Sequence, residues 1–362
     1  MSKSMNPNIF QHLGKLFEAL KHSRVSMPTI SSFPPDKCLP SGTVGEEIVK
    51  NEDYFSLEIN ELYLAYDRRW WSTYDPAVLI ITEFLYNKTI TVVPKIVGPA
   101  MIGNTPGKLP LGVVLHDTRA VGPYPYRGGR ISVTVVLYRV RHDSAARRLL
   151  HFVEQVSSAV GVPADYGTLT KVGHTILEGV ESLMGMGETE PVAGHRVELD
   201  GERLQGLRSA STVLISANDQ ELNNLWVESG RLRTWAADKS EAPFEAADYV
   251  LYTLQRHSSR GDEMTLPFYT LYEQAIRSAM LADDEGESWK QAKASLLTLY
   301  QQMVVSPDIT DREADRLFAR YTEDLKEKRE IARNIQKLGQ GTPDRAPADR
   351  RRLKQAVSVL DL

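Results

Sequence analysis

The chain has 362 residues, 43 basic against 47 acidic for a net charge of −4, with 42% hydrophobic and 25% charged residues. This is the composition of a globular protein long enough for two domains or one large one, and its charge balance argues against nucleic acid as the main partner. Cys38 is the single cysteine, which excludes an intrachain disulfide.

Met1 to Pro7 leads into an amphipathic segment rather than an apolar signal core. The most apolar run, Ala77 to Phe84, falls far short of the about 20 residues of a membrane span. The expectation is a cytoplasmic protein with no transmembrane segment.

From Asn8 to Lys21, Ile9, Leu13, Leu16, Phe17 and Leu20 recur at helical steps. Met27 to Gly45 carries Pro28, Pro34, Pro35 and Pro40 and reads as loop. Strand patterns follow: Phe55 to Ile59 and Leu62 to Tyr66 stay in phase only if Asn60-Glu61 forms a bulge. Val78 to Tyr86 and Thr89 to Val93 flank a hairpin turn at Asn87-Lys88. Leu111 to His116 and Ile131 to Val140 complete five strands at hairpin-like spacing, the mark of an antiparallel sheet or small sandwich.

The period changes at Ser144. Leu149, Leu150, Phe152, Val153, Val156 and Val160 predict a helix stopped by Gly161 and Pro163, and a second helix spans Leu169 to Met184. Strands are predicted at His195 to Leu199 and Thr212 to Ser216. A hairpin at Leu225 to Trp235 turns about Glu228-Ser229-Gly230, and another strand spans Asp248 to Gln255. That last strand places the hairpin inside a composite sheet with the earlier strands.

Phe268 to Ala282 and Ser288 to Val304 are amphipathic helices joined at Asp283 to Gly286. Thr310 with Glu313 forms the capping box of a third helix reaching Leu338, roughly 40 Å at 1.5 Å per residue. The fold class is therefore α+β. Its parts are an N-terminal helix and Pro-rich loop (1–50), an antiparallel β region (51–142), a mixed region (143–260), a helical C-terminal region (261–338), and a linker with a basic tail (339–362). The mixed region is free to continue the first sheet, so one large unit competes with two domains.

No phosphate-binding loop, dinucleotide fingerprint, HExxH, paired CxxC or GxSxG is present, so no cofactor, metal site or catalytic set is assigned. His116-Asp117, expected at a strand end, is the one acid–base candidate, against the plain alternative of a turn pair. His174 lies near the start of an apolar helix and reads as a core-edge histidine rather than a ligand. His195 begins a short strand with no visible partner, and Cys38 sits in the Pro-rich loop with no base to activate it. Trp70-Trp71 with Tyr74 forms the densest aromatic cluster, a partner surface or a cover for the core edge. Arg350, Arg351 and Arg352 could touch an acidic partner or stay solvated. The glycine-containing helix around Gly173 to Gly187 is either packed on the sheet or membrane-active, although it lacks the basic polar face of an interfacial helix.

Leu225 to Leu232, Ala247 to Leu251, Ser306 to Thr310 and Tyr126-Arg127-Gly128-Gly129-Arg130 resemble short stretches of an uncharacterised family of bacterial proteins. That family is associated with multi-gene conflict or defence systems, some with caspase-like proteases. The resemblance implies a cytosolic accessory component whose protein partners are encoded by neighbouring genes, and it carries over no catalytic residues. The leading functional expectation is a non-enzymatic protein-interaction component of such a system. The alternatives are a hydrolase using His116 and Asp117, and a membrane-active effector.

Overall fold

The computed structural model describes residues 11, 14, 15, 18, 28–40, 44–65, 68–69, 72–99, 118–142, 144–158, 166–202, 206–215, 222–281 and 286–339. The chain forms two compact units: one runs to Gly261 and takes in Pro307–Arg312, the other holds Asp262–Ser306 and the chain from Glu313 onward.

In the first unit the strands are β1 (Thr29–Phe33), β2 (Cys38–Leu39), β3 (Tyr54–Tyr63), β4 (Arg68–Arg69), β5 (Ser72–Tyr86), β6 (Thr89–Val97), β7 (Thr118–Pro125) and β8 (Arg130–Arg141). Two helices follow, α1 (Ala145–Ser158) and α2 (Tyr166–Gly185). The remaining strands are β9 (Thr189–Asp200), β10 (Ala210–Ile215), β11 (Trp226–Glu228), β12 (Arg231–Trp235), β13 (Glu241–Pro243) and β14 (Tyr249–His257). The fold class is α+β.

These strands make three sheets: β1-β10-β14-β3-β7, β4-β5-β8-β9 with β6 on β5, and a small β13-β12-β11-β2. The first two pack face to face through Phe55, Leu57, Val78, Ile80, Val133, Val135, Val250 and Tyr252. Successive β-residues point to opposite faces. Leu79 and Ile81 on β5, with Val136 and Tyr138 on β8, therefore meet a second core, built with Leu150 and Val153 of α1 and Ile176, Val180 and Leu183 of α2. Burial on both faces explains the unbroken Val78-Leu79-Ile80-Ile81 run. On the outer face of the first sheet, Tyr63, Val213, Ile215, Tyr249 and Leu251 form a third core with Phe33, Cys38, Val227, Leu232 and Phe244. The order of layers is helices, sheet, sheet, small sheet.

Turn chemistry accounts for the local connections. Asn87 and Lys88 have φ of 48° and 63°, and Ser229 and Gly230 have 49° and 74°, the paired positive angles of two-residue hairpin turns. The ladder between β3 and β14 pairs Leu251 with Glu61 and then Tyr252 with Ile59, so Asn60 is the extra residue of the expected bulge.

Two expectations are corrected. Met27 to Gly45 is not all loop, because β1 pairs with β10 and β2 pairs with β11. Its prolines fall outside the paired residues Thr29–Phe33 and Cys38–Leu39, where their missing N–H costs no ladder bond. The Leu225 to Trp235 hairpin is not part of the composite sheet that β10 and β14 join; it forms the small sheet with β2 and β13. The predicted strand at Leu111 to His116 lies outside the described residues, and β7 was not anticipated.

Segment Pro307–Arg312 is tied into the first unit by polar contacts. Tyr86 Oη donates to Asp308 at 2.8 Å, Arg127 Nη2 donates to the Ile309 carbonyl at 2.6 Å, and Thr310 N donates to Tyr54 Oη at 3.0 Å. Nearby, the fully buried Asp53 accepts Nε and Nη2 of Arg256 at 2.8 and 2.9 Å and the Val49 N–H at 2.8 Å.

The second unit contains α3 (Tyr269–Met280), α4 (Glu287–Val305) and the body of α5 (Asp311–Gly339). Tyr272 stacks on Tyr321 at 4.1 Å, Tyr300 meets Phe318 at 4.5 Å, and Arg329 lies over Trp289 at 4.0 Å. The Ala314, Leu317, Tyr321, Leu325 stripe is buried, as its three- and four-residue spacing requires. At 29 residues, α5 extends about 43 Å.

Candidate interaction surface

The small sheet has one apolar face against the third core and one face turned outward. Alternation assigns them: Val227 and Leu232 are buried with Cys38, so Trp226, Glu228, Arg233 and Trp235 share the opposite face. Leu39, in register with Glu228, joins them at 50% exposure, and Trp235 is 54% exposed.

The hairpin register sets Trp226 opposite Arg233, which leaves Trp235 on the diagonal from Trp226. The two indoles meet at 4.7 Å between centroids with planes tilted by 43°. Arg233 Nε donates to Glu228 Oε2 at 3.1 Å beside them. The surface is thus a tryptophan pair, Trp235 exposed and Trp226 half-buried, flanked by an ion pair and an exposed leucine.

This platform is braced from below. The buried Glu61 of β3 accepts the Leu232 N–H at 2.8 Å and a hydrogen bond from the Tyr249 hydroxyl, with Arg231 Nη1 3.7 Å away. Burial pushes the Glu61 carboxyl up from its ordinary range, against the opposing pull of these donors and of Arg231 and Arg233. The Ser229 N–H donates to the Leu39 carbonyl at 2.6 Å, and Phe244 N donates to the Leu232 carbonyl at 3.0 Å. Gly230, at φ 74°, supplies the left-handed second residue of the tight turn. Such a surface can bind; nothing in it supplies a nucleophile with a base.

Of the residues singled out from sequence, His116, Asp117, Trp70, Trp71, Arg350, Arg351 and Arg352 lie outside the described residues. Tyr74 is half-buried on β5 in register with Arg141. Cys38 is buried in the third core, and that burial raises its thiol pKa. His174 contacts Glu178 one turn along α2, with Nδ1 3.3 Å from Oε2, and His195 is exposed on β9. Among the described residues no three His, Cys, Asp or Glu side chains gather as a cation site, and no helix is long and apolar enough to cross a membrane.

Trp226 and Trp235 were not among the sequence candidates. Their signal was present: a two-residue turn at Ser229-Gly230 dictates which residues oppose one another, and both indoles then fall on one face. Comparison with known proteins yields no matching family model, no matching curated protein and no matching solved structure.

Proposed function

We propose that the protein is a non-enzymatic protein-interaction component of a bacterial multi-protein system of the defence or stress type, working in the cytoplasm with partners encoded by neighbouring genes. The supporting observation is the Trp226–Trp235 pair, half-buried and exposed respectively, on a sheet whose other face places Val227, Leu232 and Cys38 in the third core. Tryptophan and arginine dominate interface hot spots because a rigid indole desolvates a large area at small entropic cost. Here that geometry is prepaid by the turn and by Glu61, which favours a partner presenting an apolar anchor against the indoles.

The membrane-active alternative draws less support. Releasing α2 would strip Ile176, Leu177, Val180 and Leu183 from the second core, at about 1.5–3 kcal/mol for each side chain.

Size-exclusion chromatography with the products of adjacent genes, followed by calorimetry on any co-eluting pair, tests the proposal. W235A should weaken binding at least tenfold while leaving the melting temperature unchanged. Co-elution with none of these products, or a complex indifferent to both W226A and W235A, would refute it.

A further inference from the structure

The helical layer carries a cleft of about 470 Å³ between α1 and the chain leaving β6, lined by Pro99, Arg147, Arg148, Leu150, His151 and Glu154. α1 starts at Ala145, so both arginines belong to its first turn, and His151 follows Arg147 by one turn on the same face. The amides there are already engaged, with Ala146 N donating to Glu188 Oε2 at 3.4 Å and Arg147 N to Ser144 Oγ at 3.3 Å. Recognition in this cleft therefore falls to side chains and not to the helix terminus.

Arg147 is held in place. Its Nε lies 3.3 Å from Asp75 Oδ2, and its Nη1 lies 2.7 Å from Nε2 and 2.8 Å from Nδ1 of His142. His142 Nδ1 is in turn 2.9 Å from Asp75 Oδ2. One carboxylate on β5 thus touches both the imidazole at the end of β8 and the guanidinium on α1. A guanidinium fixed this way has less rotamer freedom to lose when it binds.

Glu154 is the acidic member of the lining, yet it is 2% exposed with both carboxylate oxygens buried. The groups the cleft presents to solvent are accordingly two guanidiniums and an imidazole, beside the hydrocarbon of Pro99.

We infer that this cleft binds a small phosphomonoester, with the phosphate on Arg147 and Arg148 and the organic body against Pro99. A phosphomonoester is close to a dianion at neutral pH with three strong acceptor oxygens, enough to meet the exposed Arg148 fork and the anchored Arg147 guanidinium beside it, whereas a carboxylate has only two. The volume falls in the range of sites that enclose a metabolite, about 300–1,000 Å³, rather than a bare ion.

Isothermal calorimetry on the full chain with adenosine monophosphate, glucose 6-phosphate and inorganic phosphate tests the assignment. At least one ester should bind saturably and at least tenfold more tightly than inorganic phosphate. R148A should weaken it at least tenfold with an unchanged melting temperature, since Arg148 is exposed. R277A removes an equal charge from a residue 75% exposed in the second unit and should leave binding intact. The inference is overturned if neither ester binds, if inorganic phosphate binds as tightly as both, or if R277A weakens binding as much as R148A. None of these outcomes depends on the tryptophan face.

Discussion

Glu61→Ala removes the acceptor that joins β3 to the β11–β12 hairpin. The Leu232 N–H and the Tyr249 hydroxyl, both within the third core, lose their common partner. A buried donor left unsatisfied costs about 1–3 kcal/mol. The carboxylate itself resists burial, as its raised pKa shows, and removing it returns part of that cost. The expected net loss is about 3 kcal/mol, a fall of about 6–12 °C in melting temperature at roughly 2–4 °C per kcal/mol for a unit of this size. Glu61→Gln keeps one carbonyl acceptor and carries no charge, so its cost should be about 1 kcal/mol. Urea titration followed by circular dichroism reads both. The two proteins should also differ in pH response. A carboxyl whose folded pKa is raised binds its proton more tightly in the native state, so its contribution is fully present below the unfolded value of 4.5 and lost as pH rises through the folded value. The E61Q protein should lack that acid-side gain. If E61A falls within 1 kcal/mol of the wild type, or E61Q costs as much as E61A, the bracing role of Glu61 is wrong.

Gly179→Ala should destabilise the helical layer by about 1–3 kcal/mol through overpacking, because a Cβ there would lie 2.3 Å from Val153 Cγ2. Val153→Ala in the same chain should recover part of that loss on thermal melting, and additive losses would disprove the contact. His257 receives or donates a hydrogen bond at 2.7 Å between its Nε2 and Ser56 Oγ, and burial, with Arg119 nearby, lowers its pKa below 6.5. The folded state thus favours the neutral ring, and this stability is present above pH 6.5 and lost as pH falls through the folded value. Melting temperatures between pH 7.5 and 5.5 should fall less for His257→Gln than for the wild type; an equal fall would assign the acid sensitivity to other groups.

Elements whose signal is local were readable along the chain. The helical period from Ser144, the stripe from Ala314 to Leu325, the Asn87-Lys88 and Ser229-Gly230 turns and the bulge at Asn60 each depend on a few neighbouring residues. Their dihedral preferences and apolar spacing act before any tertiary contact forms. β1 and β2 were hidden because a Pro-rich stretch carries no strand period, and they exist only through pairing with residues 178 to 189 positions away. Likewise Asp75 and His142 come together across the β5–β8 ladder, 67 residues apart. No local spacing in the sequence links this histidine to its aspartate.

What the sequence alone determined is therefore the α+β class, most helix and hairpin positions, and which residues alternate toward a core. The tertiary structure alone decided how many sheets those strands build, that the Leu225 to Trp235 hairpin stands in a separate small sheet, and which of its faces meets solvent. The physical reason is that strand pairing and sheet stacking are long-range choices. Their energy comes from surfaces contributed by distant segments, and no single segment encodes its partner.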